Sequence, residues 1–233
     1  LINPETRKLL VDLIGELHAA FGHPSYFHIG CDEADPPSCP DCLAVPYSRL
    51  FLDHLNAMSD AVVALGARPM MWHDMLLERG DSRWKGFYCN GSPETAEATK
   101  DLPRDIVICD WFYGGEMAAY PTLDYFKGLG FDVLTCPWCD VSGIRMQGAY
   151  ATSSGLHGVL GTLWHHYFGE DIVNIYTNLA NICWNADPAA SNYPYRRYFL
   201  THLRQIGWDM GLTDPRHTGL YFDELPVEPV LVN

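Results

Sequence analysis

Two adjacent carboxylic acids, Asp32 and Glu33, follow a short aromatic run, Tyr26-Phe27-His28-Ile29, through Gly30 and Cys31. The run starts just after Pro24 and is rich in aromatic residues, so it reads as a buried strand. In a strand, neighbouring side chains point to opposite faces. For both acids to serve one pocket, the chain has to leave strand geometry near Gly30, and glycine permits this at low steric cost. Two carboxyl groups held that close disfavour joint ionisation away from water, which leaves a proton donor beside an anion. The plainer reading of any Asp-Glu pair is a polar strand end with no chemistry. The surrounding elements decide between the two.

Asn3-Pro4 has the pattern of an N-cap followed by proline at the first helical position. Leu9, Leu10, Leu13, Ile14 and Leu17 then recur at helical spacing, so residues 4–21 are expected as an amphipathic helix ended by Gly22-His23-Pro24. The segment Asp35 to Pro46, with its prolines and two cysteines, reads as a loop beside the acids. A helix is expected over 47–65, with Leu50, Leu52, Leu55, Met58, Val62 and Leu65 as core. Further strands are expected at 68–72, 105–109, 131–136 and 158–163. Helices are expected within 93–100, over 121–129, near 145–154, over 170–184 and at 194–206. The stretch from Leu76 to Leu102 reads as polar. Alternating strand and helix argue for an α/β parallel sheet.

Each expected strand ends in a tryptophan or in the acidic pair. In a (β/α)8 barrel those ends share one face, the catalytic face. Trp72, Trp111, Trp138 and Trp164 would then wall an aromatic cup. Sugar rings present apolar C–H faces to such walls, while their hydroxyls need fixed polar partners. The plain alternative is four unrelated core tryptophans.

His28-Ile29-Gly30-Cys31-Asp32-Glu33 resembles the H-x-G-G-D-E signature of glycoside hydrolase family 20, the β-N-acetylhexosaminidases. Cys31 stands where most members carry a second glycine, and in this it is similar to the hexosaminidase D branch. Asn3-Pro4-Glu5-Thr6, Arg68-Pro69-Met70-Met71-Trp72-His73-Asp74-Met75 and Gly161-Thr162-Leu163-Trp164 follow in the family's order, so the resemblance covers residues 1–185. It implies a TIM barrel with the acidic pair on the fourth strand. This chain would hold the C-terminal five strand–helix units (1–190) and a C-terminal extension packed on the barrel (191–233). The first three units, and with them the family's sugar-gripping arginine, are expected upstream.

The resemblance implies an exo-acting retaining enzyme that removes terminal β-linked GlcNAc or GalNAc from glycans or glycoconjugates. Most glycosidases place two carboxyl groups on opposite sides of the scissile bond. Side-by-side acids fit substrate assistance better, in which the substrate's own acetamido carbonyl attacks the anomeric carbon and forms an oxazolinium ion. On the family's pattern Glu33 is the general acid and then base. Asp32 orients the acetamido N–H and stabilises the charge that develops on it. Tyr113 hydrogen bonds the acetamido carbonyl, and Trp72, Trp111, Trp138 and Trp164 pack around the N-acetyl group and the ring. Asp74 binds a sugar hydroxyl or supports Glu33. His28 is a buried imidazole behind the acids rather than a catalytic one. The resemblance implies no cofactor and no metal.

Bulk properties are compatible with this. The 233 residues, 48% hydrophobic, suffice for one core. Twenty-nine acids against 15 lysines and arginines give a net charge of −14, which disfavours nucleic acid and anionic membranes as partners. No run of 18 apolar residues suggests a transmembrane helix, and association as a homo-oligomer stays open. Eight cysteines are too sparse for a disulfide scaffold, and an intracellular setting is the expectation. Cys109 and Cys183 read as buried thiols. Cys39-x2-Cys42 and Cys136-x2-Cys139 have the spacing of half zinc sites. A zinc-dependent barrel hydrolase using these with His165 or His166 is therefore one alternative, and a non-catalytic carbohydrate-binding homologue is the other.

Overall fold

The computed structural model describes residues 3–115, 117–138, 140–164 and 170–184, with residues 202, 205, 206, 210 and 211. Strands β1 (Tyr26–His28), β2 (Arg68–Trp72), β3 (Val107–Trp111), β4 (Val133–Cys136) and β5 (Gly158–Val159) form one sheet in the order 1-2-3-4-5. Every pairing is parallel. The described residues also form helices α1 (Pro4–Ala20), α2 (Pro40–Leu43), α3 (Tyr47–Ala64), α4 (Pro93–Ala98), α5 (Pro121–Gly128), α6 (Val141–Ser153) and α7 (Glu170–Trp184). Five consecutive strand–helix units in strict parallel order are a segment of an α/β barrel wall. The expected 191–233 extension lies almost wholly outside the described residues.

Helix starts follow local chemistry. The Asn3 Oδ1 accepts from the backbone N–H of Glu5 and Thr6, with Pro4 next in line. Ser92 and Thr95 form a reciprocal capping box at α4. Asp140 Oδ1 accepts from Gly143 N at 2.5 Å, so α6 opens at Val141, four residues earlier than expected. Inside the expected loop 35–46, Cys39 Sγ accepts from Cys42 N at 3.3 Å and starts the one-turn helix α2.

The two faces of the sheet have different company. On one face, Met71, Ile108 and Val133 meet Phe51 and Leu55 of α3 and Leu123 and Phe126 of α5. On the other, Met70, Val107, Cys109, Trp111 and Cys136 pack with Trp72, Tyr113, Leu134 and Leu160, a cluster that no helix joins among the described residues. This is the inner face of a barrel wall, reached by period-2 alternation. The stretch expected to be polar, 76–102, contributes Leu76, Leu77, Trp84, Ala98 and Leu102 to the main core. Leu76 and Trp84 sit in 3-10 turns and Ala98 in the six-residue α4, elements too short to show a helical period.

Strand limits depart from the sequence expectation for physical reasons. The β1 run is only partly buried, with Tyr26 44% exposed, because β1 pairs with β2 alone and forms a sheet edge. The apolar stripe of α1 on that side is exposed too: Ile14 is buried, while Leu9, Leu13 and Leu17 are open. β3 starts at Val107 because the Asp105 carbonyl is taken by Arg68 Nε at 2.7 Å. It runs on to Trp111, in register with Cys136. β5 stops after Val159, although Leu160 N and Thr162 N still donate to Thr135 and Pro137 carbonyls. Pro137 has no N–H to return, so the ladder cannot continue. Cys109 is buried as expected, whereas Cys183 is exposed on α7.

Candidate active site

All five strands run in the same direction, so their C-terminal ends open on one side of the sheet. The acids arrive there after a sharp change of backbone. Gly30, Cys31 and Glu33 all have positive φ, at 74°, 72° and 44°. The alternation that would have split the two acids ends at Gly30, as the sequence requires of a shared site. Left-handed conformations at non-glycine residues cost about 1–3 kcal/mol each and persist only where surroundings impose them. Here three hydrogen bonds do so. Gly30 N donates to His28 Nδ1 at 3.0 Å. Gly30 O accepts from Trp72 N at 3.0 Å. Glu33 N donates to Asp74 Oδ2 at 2.9 Å. Asp32 is partly buried and Glu33 exposed. Burial, with Asp32 and Asp74 adding to it, pushes the Cys31 thiol up to about 12, so it stays protonated between the acids and Gly30.

His28 lies half-buried with its ring centroid 4.3 Å from that of Trp72, and pins the turn through Nδ1. Asp74 is 0% exposed. Its Oδ2 accepts from Glu33 N and from Asn90 Nδ2, both at 2.9 Å, and its Oδ1 from Trp111 Nε1 at 3.3 Å. Both oxygens of Asp74 are thus engaged inside the protein, one of them on the backbone of Glu33.

Tyr113 joins three of the four tryptophans, and Trp72 reaches it through Trp164. Its ring centroid lies 5.1 Å from Trp111, 5.4 Å from Trp138 and 6.4 Å from Trp164. Trp72 meets Trp164 at 6.4 Å. Trp164 Nε1 donates to Tyr113 Oη at 3.1 Å, which leaves the phenolic hydrogen as a donor. Burial pushes the Tyr113 hydroxyl up to about 12, so that hydrogen is retained at neutral pH. Gln147 on α6 holds the strand end below: its Nε2 donates to Phe112 O at 2.9 Å, and its Oε1 accepts from Thr135 Oγ1. Trp138 also packs towards Ile144, Ile175 and Ile182 of α6 and α7, so it belongs partly to the core.

Sequence reasoning missed Tyr88, Asn90 and the His73–Asp110 pair. Tyr88 is 41% exposed and stacks on Trp111 at 4.3 Å with rings 30° apart, widening the aromatic wall. Asn90 holds Asp74 by side chain and backbone. The Asn90-Gly91 dipeptide was a visible turn signal, but not for what it would touch. Behind the sheet, His73 and Asp110 are both 1% exposed, with His73 Nε2 3.3 Å from Asp110 Oδ1. His73 Nδ1 accepts from Trp111 N, and burial holds the imidazole below its usual value and therefore neutral. Burial pushes Asp110 upward. On the inner face the Cys109 thiol is drawn below its usual value by a hydrogen bond from Cys136 first and by His28, while burial pushes Cys136 up.

Of the half zinc sites, Cys39 caps α2 with Cys42 buried beneath it, and Cys136 lies on the inner face. Cys139, His165 and His166 lie outside the described residues. Among the described residues no cluster of three or more His, Cys, Asp or Glu side chains could hold a metal ion. No described helix is long and apolar enough to cross a membrane.

Solved structures share this architecture. The exo-β-N-acetylglucosaminidase of glycoside hydrolase family 20 from Vibrio harveyi, solved with N-acetylglucosamine, matches with a TM-score of 0.56 and 17% identity, over 87% of this chain and 35% of that one. The chitobiase from Flavobacterium johnsoniae matches with a TM-score of 0.55 and 17% identity, over 91% and 33% respectively. The fold is that of part of an α/β barrel, the architecture of those enzymes. This chain spans about a third of the length of those enzymes. No protein-family model matches the sequence, and no curated protein does.

Proposed function

We propose that this chain is part of a retaining, exo-acting β-N-acetylhexosaminidase that works by substrate assistance. The observation that carries the reading is the left-handed turn at 30–33. It delivers two adjacent acids to the same end of the sheet as the aromatic cup around Tyr113. A terminal β-linked GlcNAc or GalNAc presses its apolar face and acetamido methyl on Trp72, Trp111, Trp138 and Trp164. Tyr113 donates its hydroxyl hydrogen to the acetamido carbonyl and aims that oxygen at the anomeric carbon. Asp32 accepts the acetamido N–H and offsets the positive charge that grows as the oxazolinium forms. Glu33, exposed at the mouth, gives its proton to the leaving oxygen, then takes one from the water that opens the ring. No metal or cofactor enters these steps.

The test is hydrolysis of aryl β-GlcNAc and β-GalNAc by the full-length protein, with and without a thiazoline mimic of the oxazolinium. Cleavage blocked by the thiazoline supports the reading. Glu33→Gln should abolish turnover of a poor leaving group and cost less on an activated aryl glycoside; equal losses count against the acid role. Asp32→Asn should slow both, and unchanged rates remove it from the mechanism.

A further inference from the structure

Asp74 is fully enclosed at this end of the sheet, and it touches both halves of the site. Its carboxylate bonds the backbone of Glu33 on one side and the indole N–H of Trp111 on the other. Asn90 closes the remaining approach. At 0% exposure it is cut off from solvent and from any ligand in the cup. All three partners are N–H donors, so both oxygens act as acceptors. What it holds is a residue at φ 44°, a conformation that a glutamate keeps only under external constraint. The other wall of the same carboxylate is Trp111, only 8% exposed and stacked by Tyr88.

We propose that Asp74 is a positioning residue that sets the direction of Glu33 through its backbone N–H and ties that setting to the Trp111 wall. This rests on the function proposed above and deepens it. Asparagine cannot replace the carboxylate: its amide nitrogen would point an N–H at one of the three donors. The displaced residue would be Glu33 or Trp111, and a shift of the acid by about 1 Å suffices to cost on the order of 100-fold in rate.

The experiment compares Asp74→Asn, Trp111→Phe, Glu33→Gln and the double variant Asp74→Asn/Glu33→Gln on phenyl and on dinitrophenyl β-GlcNAc. Asp74→Asn should lower kcat for the phenyl glycoside about 100-fold and for the dinitrophenyl glycoside less than about tenfold, with KM little changed. In the Glu33→Gln background the same change should cost less than about twofold, since no acid remains to be aimed. Trp111→Phe, which keeps a ring and loses only the indole donor, should show the same leaving-group pattern at smaller size. It serves if Asp74→Asn does not fold. Equal losses on both substrates, or losses that multiply with Glu33→Gln, would reduce Asp74 to a fold element. Amide hydrogen exchange over residues 29–34 reads the clamp without any substrate. Exchange at Glu33 should rise about tenfold in Asp74→Ala, which leaves that N–H no side-chain acceptor at position 74, the rate equivalent of one hydrogen bond, and unchanged exchange would overturn the inference. A parent protein that cleaves neither glycoside would refute the hexosaminidase reading while leaving this exchange test to decide the clamp.

Discussion

Replacing Gly91 by alanine should unfold the protein early, and replacing Gly15 should not. Gly91 lies under the turn that carries Asp74, and its N–H donates to the Asp74 and Leu77 carbonyls at 3.1 and 3.0 Å. A Cβ there would stand 2.3 Å from Met75 O, 2.7 Å from Leu77 O and 2.8 Å from Thr95 Oγ1. Ordinary contact begins near 3.4 Å, so the backbone of the 74–77 turn would have to retreat by about 1 Å. Overpacking of this kind costs about 1–3 kcal/mol, and loosening two buried backbone hydrogen bonds adds about 1 kcal/mol each, for a total of roughly 3–5 kcal/mol. Gly15 sits inside α1 with nothing within 4 Å of its added Cβ. Alanine there should stabilise by about 0.5–1 kcal/mol through helix propensity alone. Urea titration of the two variants beside the parent reads both, with the midpoint moving down for Gly91→Ala and up for Gly15→Ala at unchanged m-value. A loss below about 1 kcal/mol at Gly91, within the range of an ordinary surface change, would refute the packing argument.

Three further outcomes follow from the site and its support. Tyr113→Phe removes the hydroxyl that accepts from Trp164 and is proposed to donate to the acetamido carbonyl; kcat should fall about 100-fold, as for loss of one preorganised oxyanion donor, and a near-wild-type kcat would exclude that hydroxyl from the chemistry. Tyr88→Ala opens the rim beside Trp111; KM for a chitobiose-length substrate should rise several-fold, on the order of one lost aromatic contact, and an unchanged KM would confine Tyr88 to packing. His73 and His54 are both held below the ordinary histidine value of 6.5, chiefly by burial. The folded state therefore refuses protons that the unfolded chain accepts, and stability is lost as pH falls below about 6.5. His73→Gln should flatten that loss, since one of two contributors is gone; the same slope with or without His73 would refute its buried neutrality.

Much of the architecture was legible in the chain because it is written locally. The 3.6-residue spacing of Leu50, Leu55, Met58 and Val62 specifies the buried face of α3, and the Asn3-Pro4 cap places the start of α1. The Gly30 break after an aromatic run placed both acids at a strand end, and the tryptophan at or after each later strand located the cup. Local pattern failed where the cause lay elsewhere in the chain. Nothing near Asp105 says that Arg68 will take its carbonyl, so the start of β3 was misplaced. β1 reads as buried from its own residues, yet burial of an edge strand depends on a neighbour strand.

The identity of the acids, their adjacency and the glycine before them belong to the sequence alone, since side-chain chemistry and backbone permissiveness are properties of single residues. The partners of those acids were decided by tertiary structure. Nothing in the sequence around Asp74 states that the fold buries it completely beneath Asn90 and Trp111. Residues 41 positions apart meet at the Glu33–Asp74 hydrogen bond. Such contacts arise only when β1 and β2 pair in register, Tyr26 with Arg68 and His28 with Met70. Register is a property of two strands at once and is invisible in either one.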